Sequence, residues 1–238
     1  MTTTQSPSIA PALLELAPLD LAAMLCSRVC HDVISPVGAI INGLEVLEDE
    51  SDASMREVAL DLIKRSADGA SARLQFCRLA FGAAGSVGAS IDTGDAEKVA
   101  RGLLETEKTA LAWRAQRQFL PKNKVKLLLN LSQIAAATIP RGGVVEVEVT
   151  GEGDAASLKV NSKGANARLQ AGFADLLCGA AAKVDAHSIQ PYFAGLVAKE
   201  CGLTIVVEQG VEGFFFLAAP TPAAEAPAEA TGQIDGAA

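Results

Sequence analysis

Between Cys26 and Leu47 the chain carries small or apolar residues at Cys26, Cys30, Val33, Val37, Ile40, Leu44 and Leu47, spaced alternately four and three apart. At about 100° per residue these positions share one arc of about 100°. Such a stripe is the seam of a helix packed lengthwise against other helices. The spacing predicts a helix from about Leu19 to Glu48. Asp49–Ala53, DESDA, then supplies a turn with Ser51 or Asp52 as cap. A second helix is expected from about Ser54 to Gly82, with Met55, Val58, Ala59, Leu62, Ser66, Gly69 and Ala70 at helical spacing. Each helix would be about 45 Å long. Two helices alone cannot bury both stripes. A second copy would cover them as a four-helix bundle across a two-fold axis; packing on the rest of the chain is the alternative.

The remainder alternates helix-like and strand-like segments, so the fold class is α+β. Residues 1–17 read as a flexible lead, 18–84 as the helical hairpin, 85–94 as a Gly/Ser-rich linker, 95–218 as a second domain, and 219–238 as an Ala/Pro/Glu-rich disordered tail. Within the second domain, helices are expected at 94–107, 121–138, 168–181 and 188–201. Strands are expected at 110–115, 144–150, 156–161, 203–208 and 214–218. VVEVEVT, residues 144–150, alternates as a half-buried strand does. Lys122, Lys124 and Lys126 read as a solvated cationic face, with contact to an acidic partner as the alternative.

The balance of 20 Lys+Arg against 28 Asp+Glu, a net charge of −8, lowers the rank of nucleic-acid binding. No uncharged apolar run is long enough to predict a membrane span, and no basic, then apolar, leader opens the chain. Five widely spaced cysteines read as free thiols in a reducing cytoplasm. Cys26 and Cys30 flank a turn beside His31, but their spacing points them to the packed face, so no metal site is expected there.

His31 lies about 150° from the centre of the apolar arc. Asp20, Ser27, Ser35, Gly38, Asn42 and Glu45 share its face, and none is bulky and apolar. This is an exposed imidazole on a rigid helix, able to act as a nucleophile near neutral pH. Local rules also break here. Pro36 costs a helix interior about 3 kcal/mol and takes the donor from the Asp32 carbonyl. Gly38 and Gly43 cost about 1 kcal/mol each relative to Ala. Such a cluster of unfavourable choices marks a candidate functional site. The other histidine, His187, reads as a solvated or capping residue before a helix.

CHDVISPV, residues 30–37, resembles the phosphoacceptor box of two-component histidine kinases. The longer stretch LCSRVCHDVISPVGAIINGLEVL closely resembles the ChpT-type histidine phosphotransferases of alphaproteobacterial cell-cycle phosphorelays. The resemblance implies that His31 carries the phosphoryl group and that Asp32 acts on the imidazole. It implies a C-terminal α/β sandwich of the kinase ATPase type whose nucleotide chemistry is lost. Asn130 and Leu131 match the start of the kinase N-box. Ile134 stands where an Mg²⁺-holding asparagine would be, and cannot hold a hard cation. Ser162 stands for the adenine-contacting aspartate, Asn166 for a glycine, and Gly164 survives. AHSIQPYFAG lacks the glycines of the second phosphate box.

These departures favour a phosphotransferase that binds no nucleotide, metal or other cofactor, with Mg²⁺ brought by the partner. The implied partners are the receiver domain of a hybrid sensor kinase, response-regulator receiver domains, and a second copy of the chain. Met24, Ser27, Arg28, Ile34, Ser35, Pro36, Gly38 and Asn42 would line the receiver-docking surface. An active kinase with divergent boxes and a phosphorylation-independent adaptor are the alternatives.

Overall fold

The computed structural model describes residues 15–49, 52–82, 88–178 and 184–220. Helix α1, Pro18–Asp49, runs unbroken through Pro36, and α2, Ala53–Ala80, returns alongside it. Asp52 caps α2, its carboxylate accepting from the Ser54 and Met55 amides at 2.8 and 3.3 Å; Ser51 lies outside the described residues. Arg56 donates to the Leu47 carbonyl across the turn. Gly43 is explained by packing: a Cβ there would meet Ile63 Cγ1 at 2.6 Å. Its cost to α1 therefore serves the approach of the two helices, whereas the space beside Gly38 is open.

The second domain holds a five-stranded mixed sheet. Its strands are β2 (Thr109–Trp113), β4 (Gly143–Thr150), β5 (Ser157–Lys163), β6 (Leu203–Gln209) and β7 (Gly213–Pro220), in the order β2-β4-β5-β7-β6. Only β2 and β4 pair in parallel. Alternation along β4 sends Val145 and Val147 into the core and Glu146 and Glu148 to the other face. There Lys163 and Lys159 meet these carboxylates at 3.1 Å. Helices α3 (Thr93–Leu104), α4 (Lys122–Thr138) and α6 (Ile189–Glu200) join the sheet around a core that includes Leu128, Leu131, Val160, Val197 and Phe216. This is an α+β architecture, a helical hairpin followed by an α/β sandwich.

Several expectations are corrected. β1 (Ser90–Asp92) and β3 (Phe119–Pro121) form a small antiparallel pair. Three residues show no periodicity, so neither strand was expected, and β1 lies in the segment read as linker. Within the expected helix 168–181, the described helical part is the five-residue α5, Phe173–Leu177; Gly172 before it has φ +82°, outside helical backbone. Residues 179–181 are outside the described residues. Ala219 and Pro220, read as tail, belong to β7. By length and composition alone α1 is apolar enough to cross a membrane; as expected, Asp32 and Glu45 leave it no uncharged apolar run of that length.

The hairpin is not a separate body. Phe76, Leu79 and Ala80 at the end of α2 enter the core of the second domain. At the start of α1, Leu21, Met24 and Leu25 pack with Leu176, Ile189 and Tyr192, and the Tyr192 hydroxyl accepts from the Leu16 amide at 3.0 Å. The far half of the hairpin keeps Ile34, Val37, Ile41 and Leu44 exposed on α1, with Met55, Val58 and Leu62 on α2. The stripe itself stays largely open, with Cys26, Cys30, Val37 and Leu44 exposed; what the chain covers at this end of α1 is Leu21, Met24 and Leu25, which lie off the stripe.

Lys124 departs from the expected solvated face. It is buried, and its ammonium donates to the Asp154 and Ala156 carbonyls at 2.7 and 2.6 Å. Burial pushes its pKa down. The position belongs to the core-facing side of α4 beside Val125 and Leu128. Two carbonyls in the β4–β5 connection satisfy a charge that side would otherwise reject.

Asn130 ties the two parts together. Its Nδ2 donates to Ala80 O at 3.1 Å and Lys126 O at 2.9 Å, and its Oδ1 accepts from Gln190 Nε2 at 3.2 Å. Asn130→Ala removes the side-chain partner of the Ala80 carbonyl on α2 and one of the two acceptors of Gln190 Nε2, which keeps Gln133 Oε1 at 2.6 Å; the loss costs about 1–3 kcal/mol. The expected fall in Tm is roughly 2–4 °C per kcal/mol in a chain of this size. A thermal melt superimposable on the parent would remove this network from the account of stability.

Candidate functional site

His31 projects from α1 with 77% of its side chain exposed. The helix fixes its backbone, and the preceding and following turns set its neighbours. Asp32 Oδ2 accepts from Arg28 Nε at 3.0 Å. Its other oxygen, Oδ1, stands 3.6 Å from His31 Nδ1. That distance is long for a hydrogen bond, although such contacts in unliganded sites often tighten when a partner binds. Arg28 and Asp32 are one turn apart, the spacing at which helical ion pairs form. Arg28 thus fixes the carboxylate that faces the imidazole, a role that its expected place on a docking surface did not include.

The carboxylate favours the proton at Nδ1, which leaves the lone pair at Nε2. Behind the pair, Cys77 is buried on α2, and its thiol is pushed up to about 11, by burial first and then by the Asp32 charge. It is not a second nucleophile at neutral pH.

Of the residues expected to line the docking surface, Ser27, Ile34, Ser35 and Asn42 are exposed, while Pro36 and Gly38 are half-buried on the same helix. Met24 is placed otherwise. It packs against the Leu176, Ile189 and Tyr192 cluster, because this end of α1 is covered by α6. Met24 is therefore in part an intramolecular contact, while it remains half-exposed on the His31 helix. Cys26 and Cys30, expected on a packed face, are exposed in the single chain. Among the described residues no group of three or more His, Cys, Asp and Glu side chains could hold a metal ion.

The residues matched to nucleotide boxes are engaged elsewhere. Ile134 is a core residue. Ser162 is buried, its hydroxyl paired with Thr138 Oγ1 at 2.7 Å and accepting from the Phe214 amide at 3.1 Å. Gly164 is needed by the backbone, since a Cβ there would collide with the Gly142 carbonyl oxygen. Asn166 adopts φ +57°, a glycine-like conformation that asparagine tolerates better than most residues. The remaining cleft between α4 and the 168–173 segment measures about 290 Å³ and is lined by Ile134, Ala137, Thr138, Arg168, Leu169, Gln170 and Phe173.

His187 is the residue that pattern reasoning missed. It is exposed and its backbone joins a capping turn, as expected. Yet its ring lies 6.5 Å from that of His31, centroid to centroid. No local signal could announce a contact between the first helix and the turn before α6.

An exposed imidazole beside a carboxylate, on a helical hairpin joined to an α/β sandwich whose nucleotide-box positions hold other residues, fits a histidine phosphotransferase. Residues 93–213 match the family described as the histidine phosphotransferase C-terminal domain. The chain is 50% identical over 205 residues to the protein phosphotransferase ChpT of Brucella abortus (strain 2308), spanning 85% of this chain and 97% of that one. It also matches a solved structure described as that of a bacterial phosphotransferase, with a TM-score of 0.79 at 48% identity, covering 87% of this chain and 98% of that one. The chain belongs to the ChpT family of histidine phosphotransferases.

Proposed function

We propose that His31 Nε2 is the phosphoryl carrier of a phosphorelay. It accepts from the aspartyl phosphate of a hybrid sensor kinase receiver domain and donates to the receiver domains of response regulators. The observation that carries this reading is the line Arg28–Asp32–His31, with the Asp32 carboxylate 3.6 Å from Nδ1 of an imidazole open to solvent. In the forward step the neutral imidazole attacks phosphorus. The N–P bond forms as the acyl-phosphate P–O bond breaks, and the receiver aspartate leaves as a carboxylate. The Nδ1 proton stays on the ring, and Asp32 balances the positive charge that develops there. The reverse step regenerates the neutral histidine.

Phosphoryl transfer needs positioning and charge neutralisation more than covalent help. The receiver supplies Mg²⁺ in this reading, and the chain binds no cofactor of its own. An apolar Ile134 at the cleft wall and a buried Ser162 bonded to Thr138, in place of the cation-holding and adenine-contacting groups, support a domain of kinase type that has lost ATP binding. Ser27, Ile34, Ser35 and Asn42 edge the docking surface. Five unpaired cysteines fit a cytoplasmic protein.

The test uses two reactions. In one, the protein meets labelled ATP and Mg²⁺; in the other, a phosphorylated receiver. Label is expected only from the receiver. Label from ATP would make the chain a kinase, and label from neither source, with a receiver that binds, would make it an adaptor.

We also propose that a second copy covers the exposed apolar residues along α1 and α2, those of the stripe and Ile41 beside it. Ile41 and Leu44 are 51% and 48% exposed in the single chain. Stripes of this kind on paired helices are buried in four-helix bundles. Ile41→Asp would place an unpaired charge in that interface. Light scattering is expected to give a dimer for the parent and a monomer for the variant. A monomeric parent would sink the bundle.

A further inference from the structure

His187 takes no part in the chemistry above, yet the fold holds it beside the phosphoacceptor. Its ring stands edge-on to that of His31, with planes 80° apart and centroids separated by 6.5 Å. The turn that carries it is firmly tied. Asp185 Oδ1 accepts from the His187 amide at 2.9 Å and from the Ser188 amide and hydroxyl, both at 2.8 Å. These bonds, the Ser188 hydroxyl first, hold the Asp185 carboxyl below the usual carboxylate range. Ile189 and Tyr192, just beyond the turn, pack against Leu21, Met24 and Leu25 of α1. Both histidines are thus fixed to one scaffold while their rings stay open to solvent.

We infer that His187 is a phosphoryl-contacting residue, whose imidazolium pairs with the phosphoryl group carried on His31. The inference rests on His31 as the phosphoacceptor. A phosphoryl group brings close to two negative charges. Among the described residues, the charged groups around it are Asp32 and Arg28 on α1 and Asp185 on the turn. Two of these three are carboxylates, and the cation among them, Arg28, is committed to Asp32 at 3.0 Å. Among the described residues, His187 is the adjacent side chain able to supply positive charge. A separation of 6.5 Å is near the outer limit of aromatic pairing, so ring packing does little to account for the placement. A histidine also suits a carrier that must release its cargo, because its charge is lost by a small change in proton affinity.

The linkage has a definite sign. A dianion nearby favours the protonated ring, so phosphorylation moves the His187 titration to higher pH. By reciprocity, protonating His187 favours phospho-His31 by the same factor. The contribution is complete below the midpoint of the free protein and is lost as pH rises through the midpoint of the phosphorylated protein. Protonation of His31 itself acts in the opposite direction, because it removes the attacking lone pair. Carboxylates and guanidinium groups ordinarily titrate outside the range between.

The chain has only two histidines, so proton NMR of the full-length protein can follow both rings. The protein is titrated with and without the phosphoryl group, loaded from a phosphorylated receiver, and ³¹P spectra report the phosphohistidine. The His187 midpoint is expected to rise on phosphorylation, with a gain in proton affinity of roughly three- to tenfold, the effect of a charge pair in near-aqueous surroundings. The ratio of phosphoryl held on His31 in the parent to that in His187→Asn, each at equilibrium with a fixed receiver, rises by the same factor as pH falls, because protonation of His31 is common to both. His187→Lys gives a high ratio on both sides of that rise. An unmoved midpoint, or a His187→Asn profile that matches the parent, overturns the inference. A ³¹P spectrum with no phosphohistidine in the parent, or with an unchanged one in His31→Ala, overturns the His31 assignment as well, and is seen before His187 is titrated.

Discussion

His31→Ala is expected to lower label transfer from a phosphorylated receiver by at least about 10³-fold, the scale on which removing a nucleophile acts. The protein itself should be unharmed. The side chain is 77% exposed, and alanine is the best helix former at a helical position. Surface changes of this kind stay within about 0.5 kcal/mol, so the melting curve and receiver affinity should match the parent. That combination separates chemistry from docking. The measurement is single-turnover transfer, with the receiver concentration well above its Kd. Transfer at the parent rate would remove His31 from the site, whatever the geometry around it. Loss of binding together with transfer would show instead that His31 acts as a docking residue.

How the site could be found in the sequence depends on the range of each contact. The four-three spacing from Cys26 to Leu47 locates α1 because a helix repeats its environment every turn. The i, i+4 pair Arg28 and Asp32 was visible in the same way, although the role of Arg28 behind Asp32 was not drawn from it. β4 was legible because Val145 and Val147 alternate with Glu146 and Glu148 across a half-buried strand. The three-residue strands β1 and β3 are too short for any period to show. Phe76 and Leu79 have helical spacing, but spacing does not say which core they enter; they enter that of the second domain. Lys124 misleads for a related reason. Its charge suggests solvent, and only the tertiary position of the Asp154 and Ala156 carbonyls makes burial tolerable. His187 is the extreme case, since its partner is on the other domain. Met24 follows the same rule in reverse: its place on the His31 helix is local, but what covers it is not.

Asp32→Asn should reduce the transfer rate by about 10²–10³-fold, within the range for a positioned acid–base group, while receiver affinity stays within about twofold. Asparagine has the shape of aspartate, so the packing beside Arg28 and Cys77 is little disturbed. Its chemistry is reversed at the point that matters. A carboxylate oxygen can only accept, so in the proposed mechanism it favours the proton at His31 Nδ1, 3.6 Å away. The amide of asparagine can donate to Nδ1 instead. The ring then carries its proton at Nε2, where the attacking lone pair is required. The variant also loses the negative charge that balances the ring once phosphoryl is bound. Arg28→Gln tests the next link. It leaves Asp32 charged but removes the guanidinium that holds Oδ2 at 3.0 Å, so a smaller loss is expected, about tenfold, the cost of one charge-assisted hydrogen bond. If Asp32→Asn transfers within about threefold of the parent, the carboxylate does not set the tautomer. If Arg28→Gln is the more damaging of the two, the arginine acts directly on the phosphoryl group or the receiver rather than through Asp32.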